Sequence, residues 1–250
     1  MSKKIALITG SGKQRVGWYV AKALGLLGYT VCIHYKTSEK EAEESAQLLK
    51  IAGIETATFQ ADLAVETEVK AMLDKVADQF SSLAVLVNCA SIWERKEFVK
   101  ITANDVTRHF EANVLGTFLP SKIAGLMMVQ QSSGGNIINI GDWAQSRPYL
   151  GYGAYFASKG AIPALTRSLA VELGSRNPKV RVNCILPGPV MLPSNLPVEE
   201  RNEAINATLV RSEGSPQDIA KAVEFLIQSE FITGIELPVD GGRSIWANGK

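Results

Sequence analysis

Tyr155 and Lys159 stand four residues apart. On a helix that spacing puts both side chains on one face, one turn from each other. A phenol has a pKa near ~10. A neighbouring ammonium favours the phenolate and lowers that value, toward the range where general acid–base transfer is most effective. The pair is therefore expected to move a proton to or from a reacting heteroatom. Asp142 lies thirteen residues before Tyr155. A carboxylate there accepts hydrogen bonds and donates none unless protonated. It repels a carbonyl oxygen and suits N–H or amino groups, or it passes a proton through Tyr155. Asp142 therefore argues against a simple ketone substrate.

Elements must bring these groups together, and the chain alternates strand and helix from end to end. Apolar runs at 5–8, 30–35, 56–60, 84–88, 136–140, 180–186 and 235–239 read as buried strands. Helical patterns cover 16–27, 38–52, 66–80, 102–131 and 152–174, and Pro216 opens another as a first-turn proline. Strict alternation predicts an α/β Rossmann fold, with a seven-stranded parallel sheet covered by helices on both faces. Residues 190–212 mix proline, polar and short helical patterns and are expected to form a mobile lid. No repeat or linker divides the 250 residues, so one domain over 1–250 is expected.

Ligands of such sheets bind beyond the carboxyl ends of the strands. The first strand runs into Gly10-Ser11-Gly12-Lys13-Gln14-Arg15-Val16-Gly17 and then a helix. Glycines let backbone approach a pyrophosphate, and a helix N-terminus favours the anion. The second strand ends His34-Tyr35-Lys36-Thr37-Ser38, with no acid before Glu39. An NAD enzyme places a carboxylate there for the ribose 2′-hydroxyl. Lys36, with Thr37 and Ser38 as donors, suits a 2′-phosphate instead, so NADP(H) is the expected cofactor. Taken alone, Lys36 is equally a solvated surface lysine. Asp62, after the third strand, either accepts from an adenine amino group or caps the segment that follows.

Composition excludes other classes. The net charge is +1, which makes no case for nucleic acid or an anionic membrane surface. Cys32, Cys89 and Cys184 lack metal-like spacing and sit in apolar runs, so no metal is expected and each reads as a small buried hydrophobe. No apolar run approaches a membrane span, and a strand pattern begins within four residues of Met1, which leaves no room for a signal peptide. A cytoplasmic enzyme is expected, acting on a small molecule without nucleic acid or membrane.

Thr9-Gly10 with Gly17, Asn88-Cys89-Ala90-Ser91, Asn113, Tyr155-x-x-x-Lys159, Pro187-Gly188 and the closing Pro238-Val239-Asp240-Gly241-Gly242 resemble the short-chain dehydrogenase/reductase family in order and spacing. The resemblance covers essentially the whole chain. It implies catalytic roles for Tyr155, Lys159 and Asn113, the last holding a water that links Lys159 to solvent. It implies cofactor contacts at Gly10, Arg15, Val16, His34, Tyr35 and Lys36, then at Asp62, Leu63, Asn88, Ala90 and Ser91, and finally at Pro187 and Gly188.

Three features are similar to the pteridine reductases within that family. Asp142 replaces the usual serine, Arg15 replaces the central loop glycine, and an aromatic, Trp93, follows Ile92. The resemblance implies that Asp142 joins Tyr155 and Lys159, that Arg15 lies by the phosphates and substrate, and that Trp93 with Ser91 meets the substrate. For Trp93, clamping a flat ring and ordinary packing against the lid remain equal readings. Two departures stand out. Seven steps separate Gly10 from Gly17 where that group has six, and Cys89 replaces the second asparagine. Tyr152 lies seven before Lys159, the spacing of the enoyl-reductase branch, but Tyr155 fits the fuller pattern; Tyr152 equally lines the pocket or packs. Trp143, Tyr149 and Met191 are further candidate walls, while Gly153 and Phe156 are candidates for a subunit interface. The expected activity is NADPH-dependent reduction of a pterin-like heterocycle. The rivals are a carbonyl or 3-oxoacyl-thioester reductase and a nucleotide-binding regulator without turnover. A homotetramer is expected from the resemblance and the two long helices.

Overall fold

The computed structural model describes residues 4–80 and 82–246. Its strands are β1 (Lys4–Thr9), β2 (Tyr29–Tyr35), β3 (Thr56–Gln60), β4 (Val85–Asn88), β5 (Gly135–Ile140), β6 (Val180–Pro187) and β7 (Glu236–Val239). They pair in parallel in the order β3-β2-β1-β4-β5-β6-β7. The crossover lies between β1 and β4, where an open α/β sheet leaves a crevice for a ligand. The expected Rossmann-type architecture is thus the observed one.

Helices are α1 (Val16–Leu26), α2 (Glu39–Ile51), α3 (Glu66–Phe80), α4 (Ala103–His109), α5 (Gly116–Gln130), α6 (Gly153–Gly174), α7 (Val198–Asn206) and α8 (Pro216–Gln228). The pleat of β1 shows why both faces are covered. Ile5 and Leu7 point into a core closed by α3, α5 and α6. Ala6 and Ile8 point into a second core closed by α1, α2 and α8. Alternate side chains on a strand face opposite ways, so a continuous apolar run needs two cores. Cys32 and Cys184 are fully buried, and burial pushes all three thiols up to about 12, so none is a reactive thiolate at neutral pH.

The expected helix over 102–131 is interrupted. Thr102 caps α4 in a reciprocal box with Asp105. A π-helical turn, Phe110–Leu115, then widens the coil before α5 begins. Apolar periodicity does not reveal such a turn, because the chain stays helical through it. By length and composition, the stretch Ala103–Gln130 is apolar enough to cross a membrane, which corrects the sequence expectation that no run approaches that limit. Half of its most apolar window is buried inside the fold, packed against α3 and α6.

Between β6 and α8 the chain forms α7, and a parallel bridge between Val190 and Gly214 ties the base of this segment. Leu192 N–H donates to the Glu213 carboxylate at 2.8 Å, and Arg201 pairs with Glu213 while donating to the Pro193 carbonyl at 2.9 Å. Met191 and Arg211 hold left-handed backbone (φ 54° and 49°) on either side of α7.

Candidate active site

A cleft of about 1300 Å³ opens where the strands end, lined by the loops after β1 to β6 and by the 190–204 segment. At its floor Gly10 takes φ +64°, and a Cβ there would lie 2.7 Å from the Ala90 Cα. The Thr9 hydroxyl accepts from Cys89 N–H (3.0 Å) and Ala90 N–H (3.2 Å), which locks the end of β1 to the end of β4. Gly12 is equally confined, its missing Cβ 3.0 Å from that of Tyr35. A loop stripped of side chains at these points, opening into α1, is a cradle that fits a pyrophosphate.

His34 lines the cleft as expected, and its ring also braces the glycine loop. Its ring is buried: Nδ1 accepts from Gly10 N–H at 3.0 Å and Nε2–H donates to the Ala61 carbonyl at 3.0 Å. Burial lowers its pKa to about 4, against the carbonyl of Ala61 and the charge of Asp62, so the imidazole is neutral. Its carbonyl accepts from Ser11 and Gly12 N–H. His34 therefore shapes the glycine loop, and its side chain is spent inside the protein.

Lys36 and Asp62, assigned to separate parts of a cofactor, are joined by a 2.6 Å ion pair. Burial raises the Asp62 pKa, but the bonds from Lys36 and Ala64 N–H outweigh it and the carboxyl sits below its usual range. Tyr35 lines the cleft and its hydroxyl donates to Glu39 at 3.3 Å. Ser38 caps α2 without spending its hydroxyl on the helix and lines the cleft, whereas Thr37 is exposed beyond the lining. Arg15, Val16, Leu63, Ala90, Ser91, Pro187 and Gly188 all line the cleft, with Arg15 exposed at the start of α1.

Asn88 lies outside the lining. Its amide donates to Ser121 (2.8 Å) and Asn139 (2.9 Å), a buried polar link between β4, α5 and β5. Asn113 is likewise built into the fold. Its Oδ1 accepts from Ile92 N–H (2.8 Å), and its Nδ2 donates to the Ile92 carbonyl (3.1 Å) and to Ser158 (2.9 Å). With both amide hydrogens used and the oxygen engaged by Ile92 N–H, Asn113 positions its surroundings. It fixes the loop before Trp93 against α6, whose Ser158 hydroxyl donates to the Tyr155 carbonyl at 2.7 Å.

The proton-handling groups meet at the start of α6. The Tyr155 hydroxyl donates to Asp142 Oδ2 at 2.6 Å, and Asp142 Oδ1 accepts from Ala144 N–H at 2.8 Å. Lys159 Nζ donates to the Ile140 carbonyl at 2.8 Å. Burial lifts the Asp142 carboxyl above its ordinary range, although Tyr155, Ala144 and Lys159 pull it back. Burial also lowers Lys159. The sequence argument that a nearby ammonium lowers the Tyr155 pKa is overturned for the protein alone. Burial, then the charge and hydrogen bond of Asp142, raise it well above a phenol's usual value. The low-dielectric site penalises the phenolate, and the nearest charge is negative.

Aromatic rings wall the substrate side. Trp93 stacks on Tyr152, with centroids 4.9 Å apart and planes 12° from parallel. Trp93 thus packs on Tyr152 yet stays 39% exposed and lines the cleft. Tyr149 stands edge-on to both Tyr152 and Phe156. Phe156 is buried in this cluster, against the expectation of an interface role, while Gly153 is exposed. Trp143, Tyr149 and Met191 line the cleft as expected. Sequence reasoning missed Arg243, which lies over the Trp143 ring at 4.9 Å. Nothing in local spacing signals a contact between residues a hundred positions apart.

A family model described as enoyl-(acyl carrier protein) reductase matches residues 11–244. The chain is 32% identical over 243 residues to a 3-oxoacyl-[acyl-carrier-protein] reductase of Staphylococcus aureus, covering 96% of this chain and 97% of the other. It is 29% identical over 252 residues to glucose 1-dehydrogenase 2 of Bacillus subtilis, covering 98% and 96%. A crystal structure of a dehydrogenase/reductase from Sinorhizobium meliloti superposes with a TM-score of 0.89 at 29% identity, covering 97% and 96% of the two chains.

Proposed function

This chain belongs to the short-chain dehydrogenase/reductase family of oxidoreductases, and within it we propose an NADPH-dependent reductase of a pterin-like or related N-heterocyclic substrate, with Tyr155 as proton donor. The observation that carries this is the 2.6 Å bond from the Tyr155 hydroxyl to Asp142. An ionised Asp142 has no proton to offer a ketone oxygen but accepts the N–H and amino groups along a pterin edge. The Trp93–Tyr152 stack supplies a flat wall against which such a ring packs.

Family members use nicotinamide cofactors, and the cleft floor fits one. The Gly10–Gly17 loop would hold the pyrophosphate, Lys36 and Ser38 a 2′-phosphate, and Pro187 and Gly188 the nicotinamide end, all but the loop's Ser11 and Gln14 being cleft-lining residues. When bound, the dinucleotide supplies hydride to the substrate carbon. Tyr155 gives its phenolic proton to the substrate nitrogen. The buried ammonium of Lys159 stabilises the phenolate that forms. After that transfer Asp142, its pKa raised by burial, takes up a proton from solvent and passes it to the Tyr155 oxygen along their shared bond.

The segment 190–212 acts as the lid over this site, and the molecule works in the cytoplasm as a homotetramer. Exposed apolar residues on the long helices, among them Phe110, Leu115, Leu126 and Val171, support that assembly.

A second activity, reduction of 3-oxoacyl thioesters, is favoured by the Staphylococcus aureus relative's name. It requires Asp142 to be protonated so that it donates to a carbonyl, and burial works in that direction. NADPH oxidation measured side by side on a dihydropterin, dihydrofolate and an acetoacetyl thioester separates the two. Turnover of the thioester with no turnover of either pterin overturns the heterocycle assignment. Retention of NADPH without turnover of any reducible substrate points instead to a nucleotide-binding regulator.

A further inference from the structure

Arg243 has no part in the chemistry described so far, yet it lines the same cleft as Asp142 and Tyr155. It sits on the turn after β7, and that turn is rigidly built. Buried Asp240 accepts from Gly242 N–H at 2.9 Å and from Ser244 N–H at 2.7 Å. Arg147 donates to the Arg243 carbonyl at 3.1 Å. Leu209 N–H donates to the Gly241 carbonyl at 2.8 Å, joining the turn to the end of the lid segment.

The guanidinium is placed as firmly as its backbone. It lies 4.9 Å over the Trp143 ring, and one nitrogen donates to the Ala207 carbonyl at 3.2 Å. Trp143 follows Asp142 directly and lines the same cleft as the proton-transfer pair. Among the described residues it forms no ion pair, and most of its N–H donors are left for a ligand. The titratable groups facing it are Arg147, Glu203 and the neutral phenol of Tyr149. Arg147 adds positive potential, while Glu203 is exposed on α7 and lines the same cleft. A fixed, planar, unpaired guanidinium is matched to the two oxygens of a carboxylate.

We propose that Arg243 is a carboxylate-binding subsite, so that the substrate is a flat heterocycle whose tail carries a carboxylate past Trp143. This rests on the assignment of a heterocyclic substrate to the Asp142–Tyr155 site and adds the charge of the tail. Glu203 opposes the same carboxylate and sets how strongly anionic tails are preferred.

The test compares dihydrofolate, which has a carboxylate tail, with dihydrobiopterin, whose tail is neutral. Arg243→Met keeps the stem over Trp143 and removes the charge. It is expected to raise KM for dihydrofolate about 10- to 100-fold, the range for a lost hydrogen bond between charged groups, with kcat and the dihydrobiopterin KM little changed. Arg243→Lys keeps the charge and should retain part of the preference, and Glu203→Gln should lower KM for dihydrofolate. Equal effects of Arg243→Met on both substrates, or none on either, overturn the subsite. If the parent turns over only ketones, a keto acid whose carboxylate lies several carbons beyond the ketone, and that acid's ethyl ester, replace the pterins. A charge preference that vanishes in Arg243→Met then upholds the subsite while the heterocycle assignment falls; no preference, or one that persists, overturns the subsite. Tryptophan quenching by folate and biopterin in the NADP⁺-loaded enzyme makes the same comparison without turnover.

Discussion

The hydroxyl of Tyr155 and the carboxylate of Asp142 share one 2.6 Å hydrogen bond in which tyrosine is the donor. The bond joins the first turn of α6 to the residue pair that closes β5, and both groups are largely withdrawn from water. Asp142 raises the cost of ionising Tyr155, whereas the Tyr155 hydroxyl eases ionisation of Asp142, so near neutral pH the pair keeps its shared proton on the phenol.

Tyr155→Phe removes that proton while the ring packing stays. NADPH binding should persist and turnover should fall about 10²–10⁴-fold, the usual cost of losing a general acid. Tyr152→Phe should keep most of its turnover, because Tyr152 is spent on stacking with Trp93. Steady-state kinetics on the two variants checks the assignment. The reverse ranking would transfer the donor role to Tyr152.

Asp142→Asn should lose activity and gain stability. The folded pKa of Asp142 is raised by burial, so its contribution to stability is fully present at acid pH. That contribution is lost as pH rises from the ordinary carboxylate range through the raised value. Asparagine buries no charge. Its melting temperature should therefore exceed the parent's at pH 7.5, and the gap should close towards pH 4. Asp142→Ser should depress heterocycle reduction and leave ketone reduction unchanged or improved. A gap that does not vary with pH would mean that Asp142 is not a costly buried acid.

Lys36→Ala should weaken NADPH and spare NADH. Lys36 is paired with Asp62 at 2.6 Å and more than half exposed, so the gain from a 2′-phosphate is screened and shared. A rise of about tenfold in KM for NADPH is expected, at the low end for a bond between charged groups. Equal kcat/KM for the two cofactors in the parent would refute the NADP(H) assignment.

His34 makes stability depend on pH in the opposite sense from Asp142. Its folded pKa is lowered from 6.5 to about 4, so the unfolded chain binds the proton first as pH falls. Stability should drop by about 3 kcal/mol between pH 6.5 and pH 4 and level off below. His34→Gln lacks this slope and loses the fit of the ring between Gly10 and Ala61. It should be less stable at pH 7, with the difference narrowing by pH 4. Urea unfolding at three pH values measures it, and parallel pH profiles for the two proteins would rule the mechanism out.

Much of the molecule was legible in the amino-acid order. Runs such as Ile5–Ile8 and the helical period through Tyr155 and Lys159 are local patterns, and local hydrophobic periodicity survives into any fold that buries it. The parallel sheet, the glycine cradle and the proximity of Asp142 to Tyr155 followed from those patterns and from family spacing. Tertiary structure decided the partners. His34 and Asn113 became internal braces, Asn88 turned to Ser121 and Asn139, Lys36 found Asp62, and Arg243 came to rest on Trp143. It also set the sign of the Tyr155 shift, which depends on burial and on which charge lies nearest. Hydrogen bonds and desolvation act through space between residues tens of positions apart, and no period along the chain records which of them will meet.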